Sequence, residues 1–224
     1  MKSVSFPKVA LTIRACAALA ALVLAALTSP PTMAQAVEGR DYTLLTAPQP
    51  PESEGGKLEV IEFFSYACPH CFHFSPMVTP WAAKLPKNAV FLRVPVAFGR
   101  PQWGALVRAY YALQATGDLD RLDTALFDAI HKEHQPLFNE ANITDWVAKQ
   151  GVNRETFAAA YNSFNVTTKA THAGQLALNY QVDGVPKLVI GGRYIVQGND
   201  FRQLLLNADQ VLKLIETPAA GSGK

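Results

Sequence analysis

Short apolar runs and helical patterns alternate along this chain. The run 58–64 is almost continuously apolar, which is typical of a central strand that is buried on both faces. A second run at 89–98 also reads as a strand, and a helix beginning at Cys68 is predicted between the two. Pro76 and Pro80 are expected to kink or break that helix. Strand, helix and strand in this order predict a parallel βαβ unit.

Helical periodicity replaces the strand pattern after about residue 99. The helices predicted in this part cover 103–116, 122–134, 144–150, 154–164 and 167–180. The chain then returns to strands, because a Gly-Gly pair separates the alternating runs 187–190 and 193–196, as in a β-hairpin. A C-terminal helix at 201–215 and an edge strand at 42–45 complete the pattern. The predicted fold class is therefore α/β.

The first 36 residues have the features of a secretory signal peptide. Basic residues stand at the start, and the apolar stretch 15–27 that follows is too short to span a bilayer comfortably. Cleavage is predicted near Ala34 or Ala36, which form an Ala-x-Ala pattern. An uncleaved membrane anchor is the alternative, and the short apolar stretch argues against it.

Cysteine usage points to a working dithiol. Of the 3 cysteines, Cys16 would leave with the signal, so only Cys68 and Cys71 remain and none is available as a structural staple. Two cysteines separated by two residues at a strand-to-helix junction form a dithiol that can close reversibly into a disulfide. An inert disulfide is the alternative, and the spacing at a helix start disfavours it.

Charge says little about the partners of this chain. The chain has 20 Lys and Arg residues against 18 Asp and Glu residues, and the predicted signal accounts for three of the basic ones. The predicted mature part is therefore almost neutral and carries no basic stripe, so we expect no nucleic-acid partner. It also lacks a second apolar run long enough to cross a membrane.

The order of these elements resembles a thioredoxin fold with an inserted all-helical domain. In particular, the chain resembles the DsbA family of periplasmic thiol:disulfide interchange proteins, through residues 62–71 (EFFSYACPHC), Gly184-Val185-Pro186 and the inserted helices. The domains that this resemblance implies are a thioredoxin-like part at 37–98, a helical domain at 99–165, a second thioredoxin-like part at 166–217 and a flexible tail at 218–224.

The Cys-Pro-His-Cys motif carries the predicted chemistry. Cys68, at the start of a helix, is expected to be the nucleophile, because unpaired N–H groups and the helix dipole favour its thiolate. Its sulfur is expected to be exposed to substrate. Cys71 is expected to be the more buried resolving partner. Pro69 lacks an N–H at a position where none is needed. The resemblance implies that His70 stabilises the thiolate and so makes the disulfide more oxidising; a solvated histidine without this role is the alternative.

Glu62 is an acid inside an apolar strand, where a lone carboxylate is costly. The resemblance implies a buried acid beneath the disulfide that relays protons. The family's usual lysine partner aligns with Arg93, which preserves a charge pair but does not release its proton readily. A Glu62 side chain that reaches solvent is the alternative.

Gly184-Val185-Pro186 precedes the predicted hairpin. The resemblance implies a cis-proline at Pro186, opposite the disulfide, and a backbone contact from Val185 to an extended substrate; an ordinary trans turn is the alternative. His131 and His134 could join the cysteines in a zinc site, but we interpret them as exposed helix residues. His73 is interpreted as a surface residue. No metal and no cofactor are expected.

These features predict a periplasmic dithiol oxidase. The resemblance implies that it donates its Cys68–Cys71 disulfide to reduced, newly secreted proteins and is reoxidised by a membrane partner of the DsbB type. We expect a monomer, because about twenty residues between the predicted mature start and the first core strand leave no room for a dimerisation domain. A disulfide isomerase or reductase is the first alternative, and a peptide-binding chaperone with an incidental dithiol is the second.

Overall fold

The computed structural model describes residues 35–216. The predicted signal peptide, except for its last two residues, and the predicted tail at 218–224 lie outside the described residues. The strands are β1 (Tyr42–Leu44), β2 (Leu58–Phe64), β3 (Ala89–Pro95), β4 (Lys187–Ile190) and β5 (Tyr194–Val196). The helices are α1 (Pro69–Ala82), α2 (Pro101–Thr116), α3 (Leu119–His131), α4 (Glu140–Lys149), α5 (Arg154–Tyr161), α6 (Phe164–Asn179) and α7 (Phe201–Glu216).

A five-stranded mixed sheet, in the order β1-β5-β4-β2-β3, forms the centre of the fold. β2 pairs in parallel with β3 and antiparallel with β4, so the predicted βαβ unit and the α/β class are confirmed. Six of the seven β2 residues are buried, as the continuous apolar run predicts. In this register Glu62 lies opposite Arg93 on one side and opposite Leu188 on the other.

Helix α1 continues through Pro76 and Pro80, so neither proline ends it. Both prolines are exposed. On that side of the helix, water can satisfy the carbonyl groups that a proline leaves without a donor. The helix therefore runs unbroken from the cysteine motif to Ala82.

Helices α2 to α6 lie between β3 and β4, and side-chain caps explain where several of them begin. Asn139 accepts a hydrogen bond from the Asn142 N–H, so α4 begins earlier than the predicted 144–150. Ser163 accepts one from the Val166 N–H. It therefore opens α6 inside the segment that was predicted to belong to the preceding helix at 154–164.

The sheet separates two apolar clusters, as alternating side chains require. Ile61 and Phe63 belong to the larger cluster, which includes the helices α2 to α6. Val60 belongs to the other, with residues of α1 and α7. Within residues 35–216, no helix is long and apolar enough to cross a membrane. This packing places the end of β2, and with it the cysteine motif, where the helical part meets the sheet.

Candidate active site

The cysteine motif lies at the junction of β2 and α1. Cys68 occupies the N-cap position with an extended backbone, and Pro69 is the first helical residue. The Cys68 N–H donates to the Ser65 carbonyl at 3.1 Å, and the Cys68 carbonyl accepts from the Phe72 N–H at 3.1 Å. The Cys68 sulfur is therefore held at the end of the helix where backbone N–H groups are unpaired and the dipole is positive.

The environment of Cys68 favours its thiolate. A hydrogen bond from the Cys71 thiol, backbone N–H groups of Cys71 and His70, and the His70 side chain lower the pKa of Cys68 to about 5, against the opposing effect of burial. His70 itself is exposed. At neutral pH the reduced protein therefore carries a thiolate at Cys68.

Cys71 lies one turn further along α1 and has the opposite character. It is fully buried, and burial, followed by the nearby Cys68 sulfur, raises its pKa well above the usual range. Both cysteines are free thiols in the structure. Cys71 is therefore a neutral thiol, which can donate to the Cys68 sulfur but is inaccessible to a large partner.

The loop before β4 covers the Cys68 sulfur. The Val185–Pro186 peptide bond is cis. The Val185 carbonyl oxygen lies 3.5 Å from the Cys68 sulfur. Cys68 is only 6% exposed, which is less than the sequence led us to expect, and the closeness of Val185 accounts for part of this cover. The structure thus brings the two sequence motifs into contact across 117 residues.

Glu62 is fully buried and paired with Arg93. The Arg93 Nε donates to one Glu62 oxygen at 2.7 Å, and the Arg93 Nη1 donates to Asp123 at 2.7 Å. The guanidinium also lies over the Phe64 ring, 3.9 Å from its centroid. Tyr66 donates its O–H to the second oxygen of Asp123. Burial raises the pKa of Glu62, and Arg93 opposes that shift.

Sequence reasoning did not identify Asp123 or Tyr66 as part of this network. A signal was present, because Asp123 stands at helical spacing with Leu126, Phe127 and Ile130, all of them buried. An acid within such an apolar stripe needs a partner inside the fold. Its partner could not be named, because Arg93 is 30 residues away on a different element.

The structure corrects the interpretation of His131 as an exposed helix residue. Its Nε2 lies 2.7 Å from the Tyr66 carbonyl oxygen, and its ring stacks on Phe72 with 4.9 Å between centroids. His134 and His73 are exposed, and the His73 ring lies beside Phe72. Among residues 35–216, no group of three or more His, Cys, Asp or Glu side chains is arranged to hold a metal ion.

Comparisons with known proteins agree with this geometry. A family model described as the DSBA-like thioredoxin domain matches residues 79–208. The thiol:disulfide interchange protein DsbA of Bordetella pertussis is 40% identical over 199 residues, which cover 87% of this chain and 93% of that protein. The crystal structure of Pseudomonas aeruginosa DsbA has a TM-score of 0.75 at 36% identity and matches 80% of this chain and 93% of its own. The oxidoreductase DsbA of Xylella fastidiosa has a TM-score of 0.75 at 35% identity, with 80% and 97% covered.

Proposed function

The chain belongs to the DsbA family of thiol:disulfide interchange proteins, and on that premise we propose that it is a dithiol oxidase for newly secreted proteins. The observation that carries the proposal is the contrast between the Cys68 thiolate and the buried Cys71 thiol. A thiolate that is stabilised in the reduced protein is a good leaving group, so the disulfide is easily reduced. DsbA is itself a standard example of a strong oxidant whose reduced form is stabilised.

Disulfide transfer proceeds in two exchanges. A substrate thiolate attacks the Cys68 sulfur, the Cys68–Cys71 bond breaks, and its electron pair leaves on Cys71, which takes up a proton. A second substrate thiolate attacks the substrate sulfur of the mixed disulfide, and Cys68 leaves as a thiolate. Two substrate thiols become one disulfide, and the protein's disulfide is reduced to one thiol and one thiolate, so the electrons balance.

Glu62 is the proposed source of the proton for Cys71. It is fully buried beneath the motif, and its charge raises the pKa of Cys71. Burial favours its protonated form. A protonated Glu62 can therefore neutralise Cys71 as the disulfide opens, and afterwards regain a proton from solvent.

Val185 and Pro186 are the proposed substrate-binding residues. Val185 places its carbonyl beside the Cys68 sulfur, so an extended peptide bound there would lie next to the reacting atoms. Pro186→Thr should slow the second exchange and let mixed disulfides through Cys68 accumulate. A non-reducing gel of the variant with a reduced substrate would show them, and a gel without trapped species would contradict this role.

The proposed setting is the periplasm, after cleavage of the signal near Ala34 or Ala36. There the partners would be reduced secreted proteins and a membrane reoxidase of the DsbB type, and the protein would act as a monomer with no cofactor. The proposed domain division, with an inserted helical domain at 99–165, would let a substrate contact both parts. If the protein were a chaperone with an incidental dithiol, Cys68→Ser would leave its action on unfolded proteins unchanged.

The decisive experiment is the redox equilibrium of the mature protein with defined glutathione buffers. We expect a disulfide that is far more oxidising than that of thioredoxin, because the Cys68 thiolate stabilises the reduced form. A potential near that of thioredoxin would contradict an oxidase and favour a reductase or isomerase. Turnover of a reduced, unfolded substrate by the oxidised protein should accompany the oxidising potential.

A further inference from the structure

A row of polar side chains leads from the buried acid toward the surface. Glu62 is fully buried, the Arg93 side chain is 14% exposed, and the Asp123 side chain is 18% exposed. Arg93 donates to an acid on each side, at 2.7 Å in both cases. Exposure increases step by step along the row, so Asp123 is its outer member.

A cavity of about 510 Å³ lies at the outer end of this row, between α1, β3, α2 and α3. Arg93 and Asp123 line it, and exposed Asp120 stands at its rim on the first turn of α3. At the inner end, Glu62 Oε1 and Arg93 Nη2 are buried without a hydrogen-bond partner. Of these two residues Arg93 lines the cavity, and a cavity lined by polar groups is a usual setting for ordered water.

We propose that Asp123 is a positioning residue that holds Arg93 between two acids. Because Arg93 is shared, it stabilises the Glu62 carboxylate only in part, and Glu62 keeps the proton that it gives to Cys71. This inference rests on the proposed role of Glu62. Without a charge at Asp123, Glu62 would be the only carboxylate that the Arg93 guanidinium pairs with, and the guanidinium would favour the ionised form of Glu62. The cavity beside Arg93 and Asp123 is the route by which we expect solvent to return the proton.

Other groups also surround Glu62 and its partners. Cys71 interacts with Glu62 from α1 and Tyr110 from α2, whereas Tyr66, in the loop after β2, contacts Asp123 at the outer end of the row. On the β4 side, its register partner is uncharged Leu188. Burial raises the pKa values of Tyr66 and Tyr110, so both stay neutral over the range in which a carboxyl group titrates. A single substitution at Asp123 can therefore remove one charge of the row and leave the Glu62 and Arg93 side chains in place.

Asp123→Asn is the informative variant. Its amide oxygen can accept from Arg93 while its N–H group donates to the Tyr66 oxygen, so both contacts persist and the charge is lost. Asp120→Asn is the matched control, because it removes an acid from the rim of the same cavity on the same helix. Asp123→Glu keeps the charge and should behave like the wild type.

The measurement is the rate at which a reduced two-cysteine peptide reduces the oxidised protein, from pH 4 to 8, by rapid mixing and acid quenching. Dividing each variant rate by the wild-type rate removes the pH dependence of the attacking thiol. For Asp123→Asn we expect a ratio near one at low pH that falls to roughly a tenth at pH 7, because losing the Asp123 charge lowers the pH at which Glu62 gives up its proton. Asp120→Asn should give a flat ratio.

A second comparison places Asp123→Asn in a Glu62→Gln background. There its ratio to Glu62→Gln alone should be flat, because a glutamine side chain at position 62 cannot give up a proton to Cys71. A flat ratio for Asp123→Asn in the wild-type background would overturn the inference, as would a pH-dependent fall that persists without Glu62. If the wild-type protein does not oxidise the peptide, the proposed function itself fails. If the wild-type protein oxidises the peptide and Asp123→Asn does so at the same rate at every pH, this inference alone fails.

Folding of the variants is checked by circular dichroism. Should Asp123→Asn not fold, Asp123→Gln removes the same charge and keeps an amide oxygen that can accept from Arg93. Carbon-13 NMR then compares the Glu62 carboxyl signal of this variant with that of the wild-type protein, and the signal of the ionised carboxylate should appear at lower pH in the variant. A Glu62 signal that changes over the same pH range in both proteins would overturn the inference.

Discussion

Cys68 and Cys71 stand in the same turn of α1, and their surroundings are opposite. The Cys71 thiol, free N–H groups at the start of the helix and the His70 side chain lower the pKa of Cys68 to about 5. Cys71 is fully buried, with Glu62 nearby, and its pKa is raised. Two identical side chains three residues apart are thus an anion and a neutral thiol in the same reduced protein.

The contrast shows that hydrogen bonds to the sulfur and burial decide the chemistry of each thiol: the first lower the pKa of Cys68, and the second raises the pKa of Cys71. A disulfide between such groups is easily reduced, because its opening leaves Cys68 as a stabilised thiolate once both substrate thiolates have reacted. For Cys68 the sign of the pH effect follows. Its pKa in the folded protein is depressed, so the stability it adds to the reduced form is fully present above the unfolded pKa and is lost as pH falls through about 5.

Replacing either cysteine by serine should have the largest effect on the contrast between the two thiols. Cys68→Ser and Cys71→Ser should both abolish disulfide transfer, but only Cys71→Ser keeps a thiolate. With oxidised glutathione at pH 7, Cys71→Ser should form a mixed disulfide at Cys68 more than about a hundredfold faster than Cys68→Ser forms one at Cys71, since a buried neutral thiol is a poor nucleophile. Intact-protein mass spectrometry counts the glutathionyl groups over time.

Equal rates for the two serine variants would contradict the assignment of the nucleophile. The double variant is the control for modification elsewhere, because no other cysteine occurs in residues 35–216. Circular dichroism confirms that the three proteins share one fold.

Replacing His70 should have a smaller effect on the pKa of Cys68, and His73 provides the control. Both are exposed histidines of α1, but the His70 side chain contributes to lowering the pKa of Cys68, whereas His73 lies beside Phe72. His70→Ser should raise the pKa of Cys68 by about one unit and make the potential more negative by about 30 mV. His73→Ser should change neither. Thiolate absorbance at 240 nm gives the pKa, and glutathione equilibration gives the potential.

An unchanged Cys68 pKa in His70→Ser would mean that the Cys71 thiol and the helix terminus stabilise the thiolate without the His70 side chain. An equal shift in His73→Ser would point instead to the general charge of α1.

Much of the fold could be predicted because local patterns are strong where burial is complete. The continuous apolar run of β2 and the Gly-Gly pair of the hairpin each have few alternative structures. Element ends were less predictable, because caps such as Asn139 and Ser163 are single polar residues within polar surroundings. Strand β3 ends at Pro95, three residues before the apolar run does.

The features of the site that are local in sequence could be predicted, and those that depend on distant contacts could not. The cysteine motif is contiguous in sequence, so its chemistry could be read directly. The pairing of Glu62 with Arg93 could be predicted from alignment, and the parallel register places the two side by side. The contacts of Asp123 and His131 join α3 to the active-site loop across 57 and 65 residues. Tertiary packing alone sets such contacts, and a helical pattern cannot reveal them.

The smallest expected effect is that of His131, which tests whether α3 supports the cysteine motif without acting on the pKa of Cys68. Its Nε2 contacts the Tyr66 carbonyl, ahead of Cys68, and its ring stacks on Phe72, just after Cys71. His131→Phe keeps a ring for stacking and loses the hydrogen bond, which should cost about 1 kcal/mol and lower Tm by about 2–4 °C in both redox forms. His134→Asn, an exposed position three residues further on, is the control and should leave Tm unchanged. Because His131 contacts the backbone and Phe72 rather than a sulfur, the Cys68 pKa should not move; a shift in that pKa would show that His131 acts on the thiolate itself.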